Sequence, residues 1–130
     1  MRSPIPHVPT SWGELIDKIT ILEIKAERIV DEQKRFNVNR ELMLLQAKLS
    51  AAPEHPTLAR LTGELKAVNL VLWDVEDAIR NCEQGGDFGP HFIALARKVY
   101  HENDVRAGLK RQINTALGSG IIEEKSYASY

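Results

Sequence analysis

Charged side chains flank two isoleucines along one line of the first predicted helix. Asp17, Ile21, Ile24 and Arg28 are spaced by four, three and four residues, which places them on one helical face. A carboxylate and a guanidinium in such a line can bind a charged ligand, or they can fix the register of two packed helices. The line therefore predicts either a binding site or a helix–helix seam.

A tryptophan and two acidic residues follow one another in the third quarter of the chain. Trp73 lies next to Asp74 and one turn before Asp77. An indole can form the stacking wall of a cleft, and neighbouring carboxylates can orient a ligand against it. The alternative is a tryptophan in the core whose acidic neighbours face water. Both interpretations stay open.

The regular spacing of apolar residues in the last predicted helix is interrupted by polar residues around His101. This histidine can titrate near neutral pH, and Asp104 lies three residues after it, on the same helical face. Lys98, Glu102 and Arg106 also form a ladder of alternating charge, one turn apart. The interruption is therefore either a solvated face or part of a binding site.

These stretches supply the candidate residues for binding a ligand or a partner. None of the four histidines has a second histidine four residues away, so a helical zinc pair is not expected. The sequence has no glycine-rich phosphate loop and no context that would activate a serine or cysteine nucleophile. We expect no metal and no cofactor, and leave open whether the protein is an enzyme. The candidates are Asp17, Arg28, Trp73, Asp77, His101, Asp104 and Arg106.

The composition bounds the class of protein. The chain has 130 residues, 43% of them hydrophobic and 27% charged, as is ordinary for one soluble globular domain spanning residues 1–130. Its net charge of −1 argues against a nucleic-acid partner, because such binding relies on neutralising phosphates. No apolar run approaches the roughly 20 residues that cross a bilayer. We expect a cytoplasmic protein without a membrane span.

A heptad pattern predicts a long third helix. Eight residues at alternating spacings of three and four would form one seam, and Gly85–Gly86 is a typical helix end. The next helix would begin at Pro90 and end at Gly118, with Val105 among its inward residues. The seam residues are Leu58, Leu61, Leu65, Val68, Leu72, Val75, Ile79 and Cys82.

The first helix is predicted to begin behind a capping box at Ser11–Glu14 and to run to about Arg35. A break at Asn37–Asn39 would separate it from a shorter helix that ends before Pro53. With an extended N-terminus and a short C-terminal tail, the pattern predicts an all-α fold. This fold would be an antiparallel bundle of three long helices and a shorter one.

Apolar residues on two sides of the first helix give the leading functional hypothesis. A helix that is apolar on two sides is buried on two sides, either within its own bundle or against another chain. We therefore expect a protein that acts by association, as a homo-oligomer or with a protein partner. The alternative is a small-molecule-binding protein or enzyme with a polar site between helices.

The sequence resembles a small bacterial and phage family known only as a domain of unknown function. The resemblance implies no particular chemistry, because no activity is assigned to the family, but its blocks contain the candidate residues. The blocks are GELIDKITIL from Gly13 with Arg28 after it, LWDVEDAIR from Leu72, YHENDVR from Tyr100, and GS with IIEEKSY from Gly118.

A looser resemblance concerns the first helix alone. Ile16–Asp17, Ile21–Glu23 and Arg28 are similar to the first helix of small all-helical chorismate mutases. Those enzymes hold a dicarboxylate in a reactive conformation with cationic side chains. The resemblance implies that Arg28 would be one of these cations.

Overall fold

The computed structural model describes residues 3–130, and in this range the chain forms four α-helices and no β-strand. An extended segment precedes the first helix, and a tail of residues 119–130 follows the last. The predicted all-α bundle is confirmed. None of the described helices is long and apolar enough to cross a membrane. The helices are α1 (Trp12–Arg28), α2 (Glu32–Leu49), α3 (Leu58–Gly85) and α4 (Pro90–Leu117).

Most of the predicted helix ends are confirmed, and local chemistry explains them. The Ser11 hydroxyl accepts a hydrogen bond from the Glu14 amide at 3.1 Å, which caps the start of α1. Helices α3 and α4 end at Gly86 and Gly118, whose φ angles are 68° and 62°. Glycine adopts this left-handed conformation without a steric penalty from a Cβ atom.

The predicted break at Asn37–Asn39 is wrong, because the chain breaks earlier, at residues 29–31. The Asp31 carboxylate accepts a hydrogen bond from the Lys34 amide at 2.9 Å and so caps α2. Helices α1 and α2 have 17 and 18 residues, whereas α3 and α4 have 28 each. The bundle therefore has two long helices and two shorter ones, rather than three long helices and one shorter one.

Helix α1 is the centre of the bundle. It packs against each of the other three helices, and α3 also packs against α4. Among the described residues, α2 packs against α1 alone. The short loop between α3 and α4 makes these two helices antiparallel neighbours. One core cluster joins α1, α3 and α4 through Ile16, Leu61, Leu65, Leu109, Ile113 and Leu117.

The predicted seam of α3 faces inward. Four of its eight residues are buried and the other four are half-buried, so none faces water. The inward placement of Val105 in α4 is wrong, since its side chain is 50% exposed. Val105 lies six positions after Val99, and at roughly 100° per residue this turns Val105 about 120° away from that face.

Both apolar sides of α1 are covered within the chain. Ile24 is 1% exposed and Ile21 is half-buried. The neighbouring helices surround α1, so these isoleucines do not form an exposed seam. The apolar residues of α1 therefore do not supply a surface for association.

Candidate functional site

Asp17 and Arg106 form an ion pair between α1 and α4. Asp17 is fully buried, and the Arg106 side chain is 29% exposed. Arg106 donates from Nε to Asp17 Oδ1 at 2.9 Å and from Nη2 to Asp17 Oδ2 at 2.5 Å. These two hydrogen bonds give the planar, two-pronged geometry that arginine forms with carboxylates. Hydrogen bonding to Asp17 raises the pKa of Arg106 above its ordinary value.

Two further polar side chains complete the surroundings of Asp17. Asn69 of α3 donates from Nδ2 to Asp17 Oδ1 and to Thr20 Oγ1, both at 2.9 Å. The Thr20 hydroxyl donates to the Asp17 carbonyl oxygen at 2.8 Å. Every buried side-chain nitrogen and oxygen among residues 3–130 has a hydrogen-bond partner. The network therefore ties three helices together without leaving an unsatisfied polar group.

Lys110 connects α1, α4 and the tail. Its side chain is only 10% exposed, and its Nζ donates to Glu14 of α1 at 2.7 Å and to Glu123 of the tail at 3.0 Å. Burial lowers the pKa of Lys110, but the two carboxylates more than offset this effect and the pKa is raised. Lys110 therefore stays charged although it is buried.

Helices α1 and α4 approach each other closely at Gly13. The Gly13 amide donates to Asn114 Oδ1 at 2.7 Å. A Cβ atom at Gly13 would lie 2.5 Å from the carbonyl oxygen of Lys110, which is closer than packed atoms can lie. Only glycine allows the two helices to meet here.

A pocket of about 740 Å³ lies between α4 and the tail. This size falls within the range of small-molecule sites. The Tyr130 hydroxyl donates a hydrogen bond to the Asp104 carboxylate at one edge, which raises the pKa of Tyr130. The pocket is lined by Val99, Tyr100, Asn103, Asp104, Arg106, Ala107, Lys110, Lys125, Tyr127, Ala128 and Tyr130.

Four of the seven candidate residues lie in or around this pocket. Asp104 and Arg106 line it, and the buried carboxylate of Asp17 holds Arg106 from behind. The His101 ring contacts the Tyr130 ring, with 4.6 Å between their centroids. Arg106 bonds to Asp17 and Asn103, so it does not extend the charge ladder predicted along α4.

The other three candidates are not among the residues that line the pocket. Arg28 donates to Asp74 at 2.9 Å, and both side chains are exposed. Trp73 is half-buried and Asp77 is exposed. Their roles in binding remain predictions.

Several residues of the network were not among the sequence candidates. The four that lie on helices each follow an apolar residue of a helical stripe, and this position is the signal that would have indicated a polar residue in the core. Glu123 lies in the tail, where no periodicity indicates burial. The residues are Thr20, Asn69, Lys110, Asn114 and Glu123.

Glu123 should titrate far below an ordinary glutamate. Hydrogen bonds from Lys125 and Lys110 lower its pKa from 4.5 to about 2. Because the folded-state pKa is depressed, the stabilisation from these contacts is complete above pH 4.5 and is lost as the pH falls toward 2. A carbon-13 NMR titration of the Glu123 carboxyl group should therefore give a midpoint near pH 2.

Substitution of Lys125 supplies the control for this titration. In Lys125→Met the first of the two donors is lost, so the Glu123 pKa should rise toward its ordinary value. A midpoint that is already at the ordinary value in the unmodified chain would contradict the placement of the tail against α4.

The fold and the site define the class: an all-α bundle with a buried charged network beside a pocket. The family model described as "Family of unknown function (DUF6165)" matches residues 7–130. The chain therefore belongs to this family, which agrees with the domain of unknown function expected from the sequence blocks. The comparisons with curated proteins and with solved structures gave no match.

Proposed function

We propose that this protein works by association and that its α2 helix pairs with the α2 helix of a second copy. The supporting observation is that, among residues 3–130, α2 packs on α1 alone and exposes large apolar side chains on its outer side. On this face Phe36 is 60% exposed and Met43 is 71% exposed. The opposite face carries Val38, Leu42, Leu45 and Leu49, which are buried or half-buried.

A further exposed apolar residue lies just before α2. Val30 precedes the helix and is 90% exposed. Phe36 and Met43 are seven residues apart, which places them on the same side of α2, about 10 Å from each other along the helix. A single exposed apolar side chain is ordinary, but a row of large ones is typical of an interface.

The α2 surface is complementary to itself. In an antiparallel pair with its two-fold axis at Phe36, each Phe36 would pack against its counterpart in the second copy. Arg40 would lie near Glu32 of the second copy, since each is four residues from Phe36. This pairing covers Phe36 and matches opposite charges.

Sedimentation equilibrium tests the proposal. The unmodified chain should be a dimer, and Phe36→Asp should be a monomer, because two carboxylates would meet at the two-fold axis without water. Ile93→Asp is the matched control: Ile93 is 55% exposed but lies on α4. This control should remain a dimer. An unmodified chain that sediments as a monomer at about 0.1 mM would overturn the proposal.

A charge exchange tests the pairing itself. Arg40→Glu and Glu32→Arg should each weaken the dimer by about tenfold, because like charges would meet at both ends of the pair. The double variant restores opposite charges and should return the affinity toward that of the unmodified chain. If the losses of dimer affinity in the two single variants added up in the double variant, this result would contradict an antiparallel α2 pair and favour another surface.

A further inference from the structure

We infer that the pocket between α4 and the tail binds a small molecule that carries both an aromatic ring and an anionic group. This site lies on the α4 side of the bundle, whereas the proposed association uses α2, which does not pack against α4. The inference is therefore independent of the proposed function. The tail closes the pocket, so the bundle alone would not form it.

Aromatic side chains gather at one end of the pocket. Tyr100 and Tyr130 line it and contact each other, with their ring centroids 5.3 Å apart. Tyr127 also lines the pocket and is 79% exposed. Tyrosine rings offer flat apolar faces for stacking, and their hydroxyls offer hydrogen bonds at the rim. This end suits a planar ring.

Cationic side chains lie further along α4. Lys110 is ten residues beyond Tyr100, a distance of about 15 Å along the helix. Three cations and one carboxylate line the pocket, namely Arg106, Lys110, Lys125 and Asp104. Each of these cations also pairs with a carboxylate outside the lining, namely Asp17, Glu14 or Glu123, so a preference for an anion depends on the N–H donors that these pairs leave over.

These cations keep N–H groups beyond those used within the chain. The Lys110 ammonium has three donors and makes two hydrogen bonds, to Glu14 and Glu123. Arg106 has five donors and makes three hydrogen bonds, two to Asp17 and one to Asn103. A phosphate or carboxylate can therefore bind without breaking the buried contacts that hold these side chains in place.

Isothermal titration calorimetry on the full chain tests the inference with two anionic aromatics. Adenosine monophosphate supplies a phosphate ester and salicylate supplies a carboxylate, so the two probes distinguish the possible sources of the anion. Adenosine supplies a ring without an anion, and inorganic phosphate supplies an anion without a ring. At least one anionic aromatic should bind about tenfold more tightly than both controls. If both anionic aromatics bound no more tightly than adenosine or inorganic phosphate, this result would overturn the inference.

Substitutions of exposed pocket residues test where the probe binds without disturbing the core. Lys125→Met and Tyr127→Ala should each weaken the bound probe by about tenfold. Lys98→Met and Phe88→Ala are matched controls, because both residues are exposed and neither lines the pocket. These controls should bind as the unmodified chain does. Binding that is unchanged in both pocket variants would place the ligand elsewhere and contradict the inference.

Discussion

Replacing Asp17 with alanine should lower the free energy of unfolding by about 3 kcal/mol, measured by urea denaturation. The substitution removes the partner of Arg106 and one acceptor of Asn69 from a position that is fully buried. A buried charge without its partner is costly because the interior cannot solvate it. We expect the lower end of the usual range, since part of the Arg106 side chain reaches water.

The exposed ion pair of Arg28 and Asp74 provides the matched control. It joins the same two residue types at 2.9 Å, but its side chains are 42% and 63% exposed. Asp74→Ala should therefore change the stability by less than about 0.5 kcal/mol. Similar losses in the two variants, or a loss below about 1 kcal/mol for Asp17→Ala, would contradict a structural role of the buried pair.

A double substitution separates the contribution of the ion pair to protein stability from its contribution to ligand binding. Asp17→Leu with Arg106→Met replaces both charges with apolar side chains of similar length, which is often neutral or stabilising in other proteins. We expect this variant to be more stable than Asp17→Ala. Arg106 lines the pocket, so the double variant should also bind an anionic aromatic less tightly. This combination would indicate that the charges are kept for binding.

The sequence predicts the long helices well because their signals are local. The α3 seam follows a heptad pattern, and Gly86 and Gly118 end α3 and α4 where their left-handed conformation is needed. The capping residue Ser11 is likewise recognised from its neighbours. Such features depend on the spacing within one helix and need no knowledge of which helix lies opposite.

The break between α1 and α2 and the charged network depend on less local information. Asp31 is a suitable cap, but the pair of asparagines at Asn37 and Asn39 gives a similar signal in the sequence. The contact of Asp17 with Arg106 joins residues 89 positions apart. No spacing within either helix indicates that contact, because it depends on how α1 and α4 pack.

The candidate site was predicted in part. The sequence singles out His101 and Asp104 because they interrupt the apolar spacing, and Arg106 because it belongs to a charge ladder. The structure places all three at one pocket or its edge, and their role in binding stays a prediction. The tail that closes this pocket has no periodicity, so Lys125 and the terminal tyrosines were not predicted. When a site is built partly from an irregular segment, only its residues on helices can be recognised from their spacing in the sequence.

Replacing Gly13 with alanine should lower the free energy of unfolding by about 3 kcal/mol. The added Cβ would lie 2.5 Å from the Lys110 carbonyl oxygen and 2.8 Å from Asn114 Oδ1. The first of these atoms belongs to the backbone, so α1 and α4 must move apart. This movement would also weaken the hydrogen bond from the Gly13 amide to Asn114.

Gly63 of α3 is the matched control, because a Cβ atom there would meet nothing within 4 Å. Alanine favours the helical conformation more than glycine does, so Gly63→Ala should stabilise the protein by up to about 1 kcal/mol. The two variants make the same chemical change and should differ in sign in urea denaturation. If Gly13→Ala were as stable as Gly63→Ala, then α1 and α4 would not meet at Gly13. The contacts from Lys110 to Glu14 and from Arg106 to Asp17 would then lose their geometric basis.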